Sequence, residues 1–484
     1  MLPRPGSGTE CALGPPVSAL ASTVRASPHF QVRSTVPPLQ LTRRSLLAGA
    51  LGLGAATALS GCVANNGPQP SSAAPGSKAD IGEVEGTLRF AFWGGSDGEN
   101  SGFARAKAGF EKRHPKATIE LQTLPYDGFF SGIDRGILSR TAPDVFRVDY
   151  TSIGKYTSHG VLLDMTPYLS ASEAKGFLPA LYDAVRFEGR TYGVPHQTDT
   201  SAIAFSRKAL DEAGIGAVPD RLEDAWTWEE FSDVSTKLRK TLPDDKYPFA
   251  YDWTAAGAYR WASFLYQAGG SLLTEDLRHS AVDGDPARKA MAFTQRFFDE
   301  EWVPANNTIK TTVYSDNFFL NQTVAMTFIG DFLVPELADG ANGYQGGEWA
   351  TTYMPRDRAA ASDLGGNAIV ATRDTENPEL AAAFLKFLVE EDQMRDFCQL
   401  ANELPTLRTL ADQTLDYAVR PDVMGVFTQQ ATTITETAVR ETVVPGFASI
   451  NTALQDQLEL AFHGRGTEQA VRAIDAAVDR AVSA

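Results

Sequence analysis

Cysteine is what the chain has least of: Cys11, Cys62 and Cys398 are the three in 484 residues. Small secreted folds stapled by disulfides are dense in cysteine, so that class is excluded. Histidine is nearly as scarce, and the six (His29, His114, His159, His196, His279, His463) follow no metal-ligand spacing. There is no HExxH, CxxC or GxxxxGK[ST], so the usual zinc, redox and phosphate-loop chemistries lack their signatures. The turn GGSDG at 94–98 is rich in glycine but matches no nucleotide fingerprint. Positive charge is also short: 43 Lys and Arg stand against 60 Asp and Glu. An acidic surface repels phosphate backbones, which argues against a nucleic-acid partner. Carboxylates are the one abundant reactive group, and a glycosidase acid pair stays open on composition alone.

Long apolar runs are missing too. The stretch from Ser45 to Gly61 is diluted by Gly49, Gly52, Gly54 and Thr57, and it falls short of the about 20 apolar residues a spanning helix needs. Charge ahead of a modest apolar region, then small residues, is the layout of an export signal. Arg43-Arg44 followed by Leu46 and Leu47 resembles a twin-arginine signal. Leu59-Ser60-Gly61-Cys62 resembles a lipobox, in which Cys62 is lipidated and becomes the mature N-terminus. Removing residues 1–61 takes away five arginines and Glu10, leaving 38 basic and 59 acidic residues, a net charge of −21. Cys398 is then the remaining free thiol, and its apolar helical surroundings read as core.

What is there is α/β patterning. Residues 62–85, rich in Pro, Ser, Gly and Ala, read as a flexible tether. TLRFAFW then puts Leu88, Phe90 and Phe92 on one strand face, with Ala91 and Trp93 on the other. A helix follows with Phe103, Ala106 and Phe110 inward, and His114-Pro115 ends it. ATIELQTL and DVFRVDY supply further strands, so strand, helix, strand, helix, strand predicts a parallel α/β layer. Thr227-Trp228-Glu229-Glu230 is a capping box, and Asp285-Pro286 and Asn377-Pro378 start later helices. The length beyond residue 86 exceeds what one core usually holds, which predicts two lobes.

Aromatics and acids gather where strands should end: Trp93, Asp149, Asp199, Asp331-Phe332 and Gly365-Gly366-Asn367. Ligands of α/β sheets bind beyond the carboxyl ends of strands. Aromatic faces can stack on the C–H face of a sugar, and carboxylates or amides take its hydroxyls. A binding crevice is the expectation.

From about residue 86 onward the chain resembles the bacterial extracellular solute-binding proteins of family 1, the maltose-binding-protein-like receptors of ABC importers. The resemblance is carried, in order, by FEKRHPKATIELQTLPYDGF, APDVFRVD, HGVLLDMTPYL, GRTYGVPHQTDTSAIAFSRKALDEAGI, DAWTWEEF, QAGGSLL, FLNQTVAMTFIGDF, LGGNAIVATRDTENPELAAAFLKFL and NELPTLR. It implies a two-lobed periplasmic-binding-protein-like fold (type II), with lobe one at 86–198 plus 366–402 and lobe two at 199–365 plus 403–484. It also implies a monomeric, lipid-anchored receptor on the outer face of the cell membrane. Such a receptor holds a sugar or oligosaccharide in the cleft and hands it to the membrane permease, with no catalytic residue, cofactor or metal. Candidate ligand residues are Trp93, Phe332 and Trp253 for stacking, Asp149, Asp199 and Asp331 for hydroxyls, and Asn367 beside Gly366, with Tyr126 and Arg408 completing the set. Many relatives carry a tryptophan in the turn where this chain has Gly330-Asp331-Phe332; the added carboxylate of Asp331 points to a more polar or cationic ligand. A polyamine or glycerol-phosphate solute on the same fold, and an exported carboxylate-pair hydrolase, are the alternatives.

Overall fold

The computed structural model describes residues 78–254 and 257–483. Arg43, Arg44 and Cys62, and with them the expected export and lipidation signals, lie outside the described residues.

Two sheets organise the chain. The strands that position the site are β1 (Gly86–Trp93), β2 (Ala117–Leu124), β3 (Val145–Asp149), β4 (Val194–Asp199), β5 (Ser201–Ser206), β6 (Tyr247–Ala250), β7 (Val324–Gly330), β8 (Trp349–Thr352), β9 (Gly365–Ala371) and β10 (Leu404–Pro405). The larger sheet has six strands in the order β10-β4-β9-β3-β1-β2; the smaller has four, β8-β5-β7-β6. The parallel layer expected from the sequence covers β2, β1 and β3. β9 instead runs antiparallel to both β3 and β4. The reason is its route: the chain leaves β8 in the smaller sheet and enters β9 from that side, against the direction of β3.

Alternation along β1 sorts its side chains as the pattern requires. Leu88, Phe90 and Phe92 enter one apolar cluster with Val145 and Ile369. Ala91 enters another with Phe146, Val148 and Val370, and Trp93 packs against its edge. A central strand covered on both faces is apolar on both faces.

Helices cover these faces. α1 (Asp97–Arg113) opens with a Ser96–Glu99 capping box and buries Phe103, Ala106 and Phe110. α2 (Tyr150–Ser158) follows β3 directly, and α3 (Trp228–Thr241) has the expected Thr227–Glu230 box. α4 (Asp285–Asp299), α5 (Pro378–Leu388) and α6 (Glu391–Ala401) follow, the last burying Cys398. Near the C-terminus α7 (Phe447–Phe462) and α8 (Thr467–Val482) pair, and α7 packs against both α2 and the 3-10 turn Ala258–Trp261.

Two boundaries differ from expectation. Leu404–Pro405, placed in lobe two by sequence, pairs with β4 as the edge of the larger sheet, because the chain turns back at Asn402, which holds a left-handed φ of 57° and carries hydrogen bonds to Val419. Residues 78–85, read as tether, rest on the body: Lys386 donates to the Ala79 carbonyl, Lys78 N to the Pro167 carbonyl at 2.8 Å, and Val84 is buried. The apolar Ile81 and Val84 make that docking favourable.

Candidate functional site

The ends of strands converge on one cavity of about 400 Å³, within the range of small-molecule sites. From the larger sheet come Trp93 at the end of β1, Asp149 at the end of β3, Asp199 at the end of β4, and Gly365, Gly366 and Asn367 at the start of β9. Facing them from the segments around the smaller sheet are Asp252, Tyr259, Arg260, Tyr314, Asp316, Phe332 and Glu336. Residues far apart in sequence meet because β9 pairs Asn367 with both Asp149 and Gln197. Gly366 permits that register: its φ is +99°, and a Cβ there would lie 2.4 Å from Thr198 Cα.

Under the floor sits Arg147, 1% exposed in the middle of β3. Its guanidinium pairs with Glu99 and reaches Glu403 at 3.5 Å and the Trp93 carbonyl at 3.1 Å. Oriented to satisfy its hydrogen bonds, the Asn367 amide oxygen accepts from Arg147 Nη2 at 2.9 Å and from Gln197. The same guanidinium lies 4.7 Å from the Trp93 ring centre, while Tyr126 and Phe129 meet that ring edge-on at 5.2 and 5.1 Å. Trp93 is thereby held in one orientation at the cavity wall, as a stacking platform must be. The Tyr126 hydroxyl donates to Asp149 Oδ2 at 3.0 Å.

Across the cavity Arg260 plays the matching part. It pairs with Asp363, donates to Ser201 Oγ at 3.2 Å, and has Asp252 at 3.5 Å and Asp199 at 3.9 Å. Burial pushes the Asp199 carboxyl up to about 6 despite Arg260, with Asp363 adding to the rise. Glu336 is pushed up to about 7 by burial, with Asp316 and Glu99 adding repulsion. Burial also raises Asp316. The wall therefore offers many oxygen acceptors that water no longer fully satisfies.

Seven of the residues expected from sequence line this cavity together: Trp93, Tyr126, Asp149, Asp199, Phe332, Gly366 and Asn367. Three do not. Trp253, expected as a platform, is fully buried in the core beneath the smaller sheet, against Tyr251 and Phe462; its apolar neighbours leave no open ring face. Asp331 is fully buried off the cavity wall, where Oδ1 accepts from the Thr200 amide at 3.1 Å. It holds the crossover between β4 and β5 and cannot reach a cavity ligand. Arg408 turns the other way, its Nε donating to the Phe177 carbonyl at 3.0 Å. Trp226, Trp228 and Trp302 are also buried.

Sequence reasoning passed over Arg147, Glu99, Glu403, Arg260, Tyr259, Tyr314, Asp316 and Glu336. A signal existed for some. Arg147 interrupts the apolar strand VFRVD and Arg260 interrupts AYRWASFL, and a buried arginine requires carboxylate partners. Glu99 stands at the fourth position of an S-x-x-E box. Asp316 and Glu336 follow no pattern and were brought here by the fold.

Comparison with known proteins defines the class. The GacH receptor of Streptomyces glaucescens, solved free and with acarbose, superposes with a TM-score of 0.70 at 19% identity, covering 83% of this chain and 99% of that one. The sugar-binding protein MalE of Xanthomonas citri superposes with a TM-score of 0.64 at 20% identity over 82% and 98%. The fold is thus the two-lobed one of maltose-binding-protein-like periplasmic binding proteins. The family model of bacterial extracellular solute-binding proteins matches residues 95–395, and the chain belongs to that family. The maltodextrin-binding protein MdxE of Bacillus subtilis is 22% identical over 72% of this chain and 78% of its own length.

Proposed function

We propose that this chain is the receptor of an ABC importer and binds a sugar or oligosaccharide in the cavity between its two sheets. The observation that carries the reading is the cavity itself: a fixed indole, acceptors from both walls, and lining residues drawn from segments on either side of the crossovers. The acarbose complex of GacH and the name of MdxE support a saccharide ligand for a chain of this family. Ligand contacts to both walls favour the closed arrangement, which the permease reads. By this reading the chain works as a monomer, exported through Arg43-Arg44 and held at the membrane by a lipid on Cys62. The walls carry more carboxylates than arginines, which disfavours a glycerol-phosphate solute. Binding without turnover separates the receptor from a carboxylate-pair hydrolase.

The test is thermal melting of the protein with a saccharide panel, followed by recovery of the ligand. Ligand at about 100 times its dissociation constant stabilises by about 2.7 kcal/mol, enough to raise the melting temperature. An unchanged sugar recovered from a stabilised sample supports a receptor; a cleaved one overturns it.

A further inference from the structure

Among the described residues, seven carboxylates line the cavity: Glu99, Asp149, Asp199, Asp252, Asp316, Glu336 and Glu403. The basic lining residues are Arg147 and Arg260. Both arginines are already engaged, Arg147 by Glu99 and Glu403, and Arg260 by Asp363, Asp252 and Asp199. Asp149, Asp316 and Glu336 are left with no basic side chain in ion-pair reach. They do not belong to one wall: Asp149 ends β3, while Asp316 and Glu336 come from the side of the smaller sheet. The start of α2 behind Asp149, and the first turns Asp316–Leu320 and Val334–Leu337 that carry Asp316 and Glu336, offset part of each charge but supply no counter-ion.

Unmet oxygens point the same way. Glu403 Oε2 and Asp199 Oδ1 have no hydrogen-bond partner, on residues 2% and 7% exposed. Glu336 Oε2 and Asp149 Oδ1 are likewise buried and unpartnered. A neutral sugar would satisfy such oxygens with hydroxyl donors but would leave the surplus charge enclosed once the cavity closes. Enclosing unpaired carboxylates is costly. A cation on the ligand removes that cost and gains charge-assisted hydrogen bonds. The dispersed acids form no metal cluster among the described residues, which leaves an organic ammonium as the fitting cation. The tyrosines Tyr126, Tyr259 and Tyr314 and the Trp93 ring supply the remainder of a saccharide site.

We propose that the ligand is an amino sugar or amine-bearing oligosaccharide, its protonated amine seated between Asp149 and the Asp316–Glu336 pair. The proposal rests on the receptor reading above and narrows it to a substrate class. Charge selects the ligand here, while ring stacking orients it.

The experiment is calorimetric titration with matched sugars that share a scaffold and differ in one substituent. Glucosamine, its dimer and its trimer are compared with the N-acetylated and the 2-hydroxyl counterparts. Putrescine, spermidine and calcium chloride are titrated alongside. The expected result is at least tenfold tighter binding of amine members, with Glu336→Gln and Asp316→Asn each reducing the ratio of amine to neutral affinity about tenfold. Both replacements remove buried charge without changing shape, and melting curves verify that the variants fold. Equal or tighter binding of the neutral partners overturns the amine proposal and leaves the receptor standing. Binding of the diamines or of calcium without any sugar overturns both the saccharide reading and this one. No heat with any member overturns both as well.

Discussion

Replacing Arg147 by methionine tests the electrostatic floor of the site. The side chain keeps its length and loses its charge, so the cost falls on the partners. Glu99 and Glu403 both lose their cationic partner. Glu99 Oε2 keeps the Gly95 and Ser96 amides, whereas Glu403 Oε2 has no partner to fall back on. Removing one member of a buried ion pair costs about 3–5 kcal/mol. The Trp93 carbonyl and the Asn367 amide lose a donor as well, which adds about 1 kcal/mol. Arg147→Met should therefore lose about 4–6 kcal/mol. Chemical denaturation of both proteins at pH 7 measures this. A loss below about 1 kcal/mol would refute the reasoning, since it would mean that packing rather than paired charge holds the floor together.

Two tryptophans should separate binding from stability. Trp93→Ala is expected to weaken ligand about tenfold, the worth of one ring contact of about 1.4 kcal/mol, in calorimetric titration; Trp253→Ala is expected to leave affinity unchanged and to cost about 3–5 kcal/mol in denaturation. Glu336→Gln should stabilise the free protein in a pH-dependent manner. Because the folded carboxyl is raised to about 7, the native state binds the extra proton and wild-type stability falls as pH rises from the unfolded value of about 4.3 through 7. The glutamine variant escapes that fall, so its melting temperature should match wild type near pH 4 and exceed it at pH 8. Gly366→Ala should destabilise by about 2–3 kcal/mol, since φ is +99° and the new methyl would meet the Thr198 and Gln197 backbone at 2.4 and 2.7 Å; thermal melting reads it, and an unchanged curve would mean that β9 can slide in register.

How much of this could be read in advance varies by element. β1 declares itself through alternation, α1 through its inward phenylalanines, and α3 through its capping box, because each is stabilised by neighbours a few residues away. The places where strands end were legible for the same reason, and ligand sites of α/β sheets gather there. Trp253 was misread because an aromatic after YD looks alike in a core and at a cleft. Only the packing of α7 against it, through Phe462, decides that it is closed.

By itself, then, the order of residues determined the elements, the α/β class, the acidic balance and the strand ends at which a cavity could form. Tertiary structure alone decided which charges face each other. Arg147 meets Glu99 and Glu403 across 48 and 256 positions of chain, and Arg260 meets Asp363 across 103. It also sent Asp331 to the crossover, Arg408 to the far side, and Glu336 and Asp316 to the cavity. Local patterns are short-ranged, written in periods of two and 3.6 residues. Coulomb interactions depend on distance in space and on burial, and neither exists until the sheets are assembled.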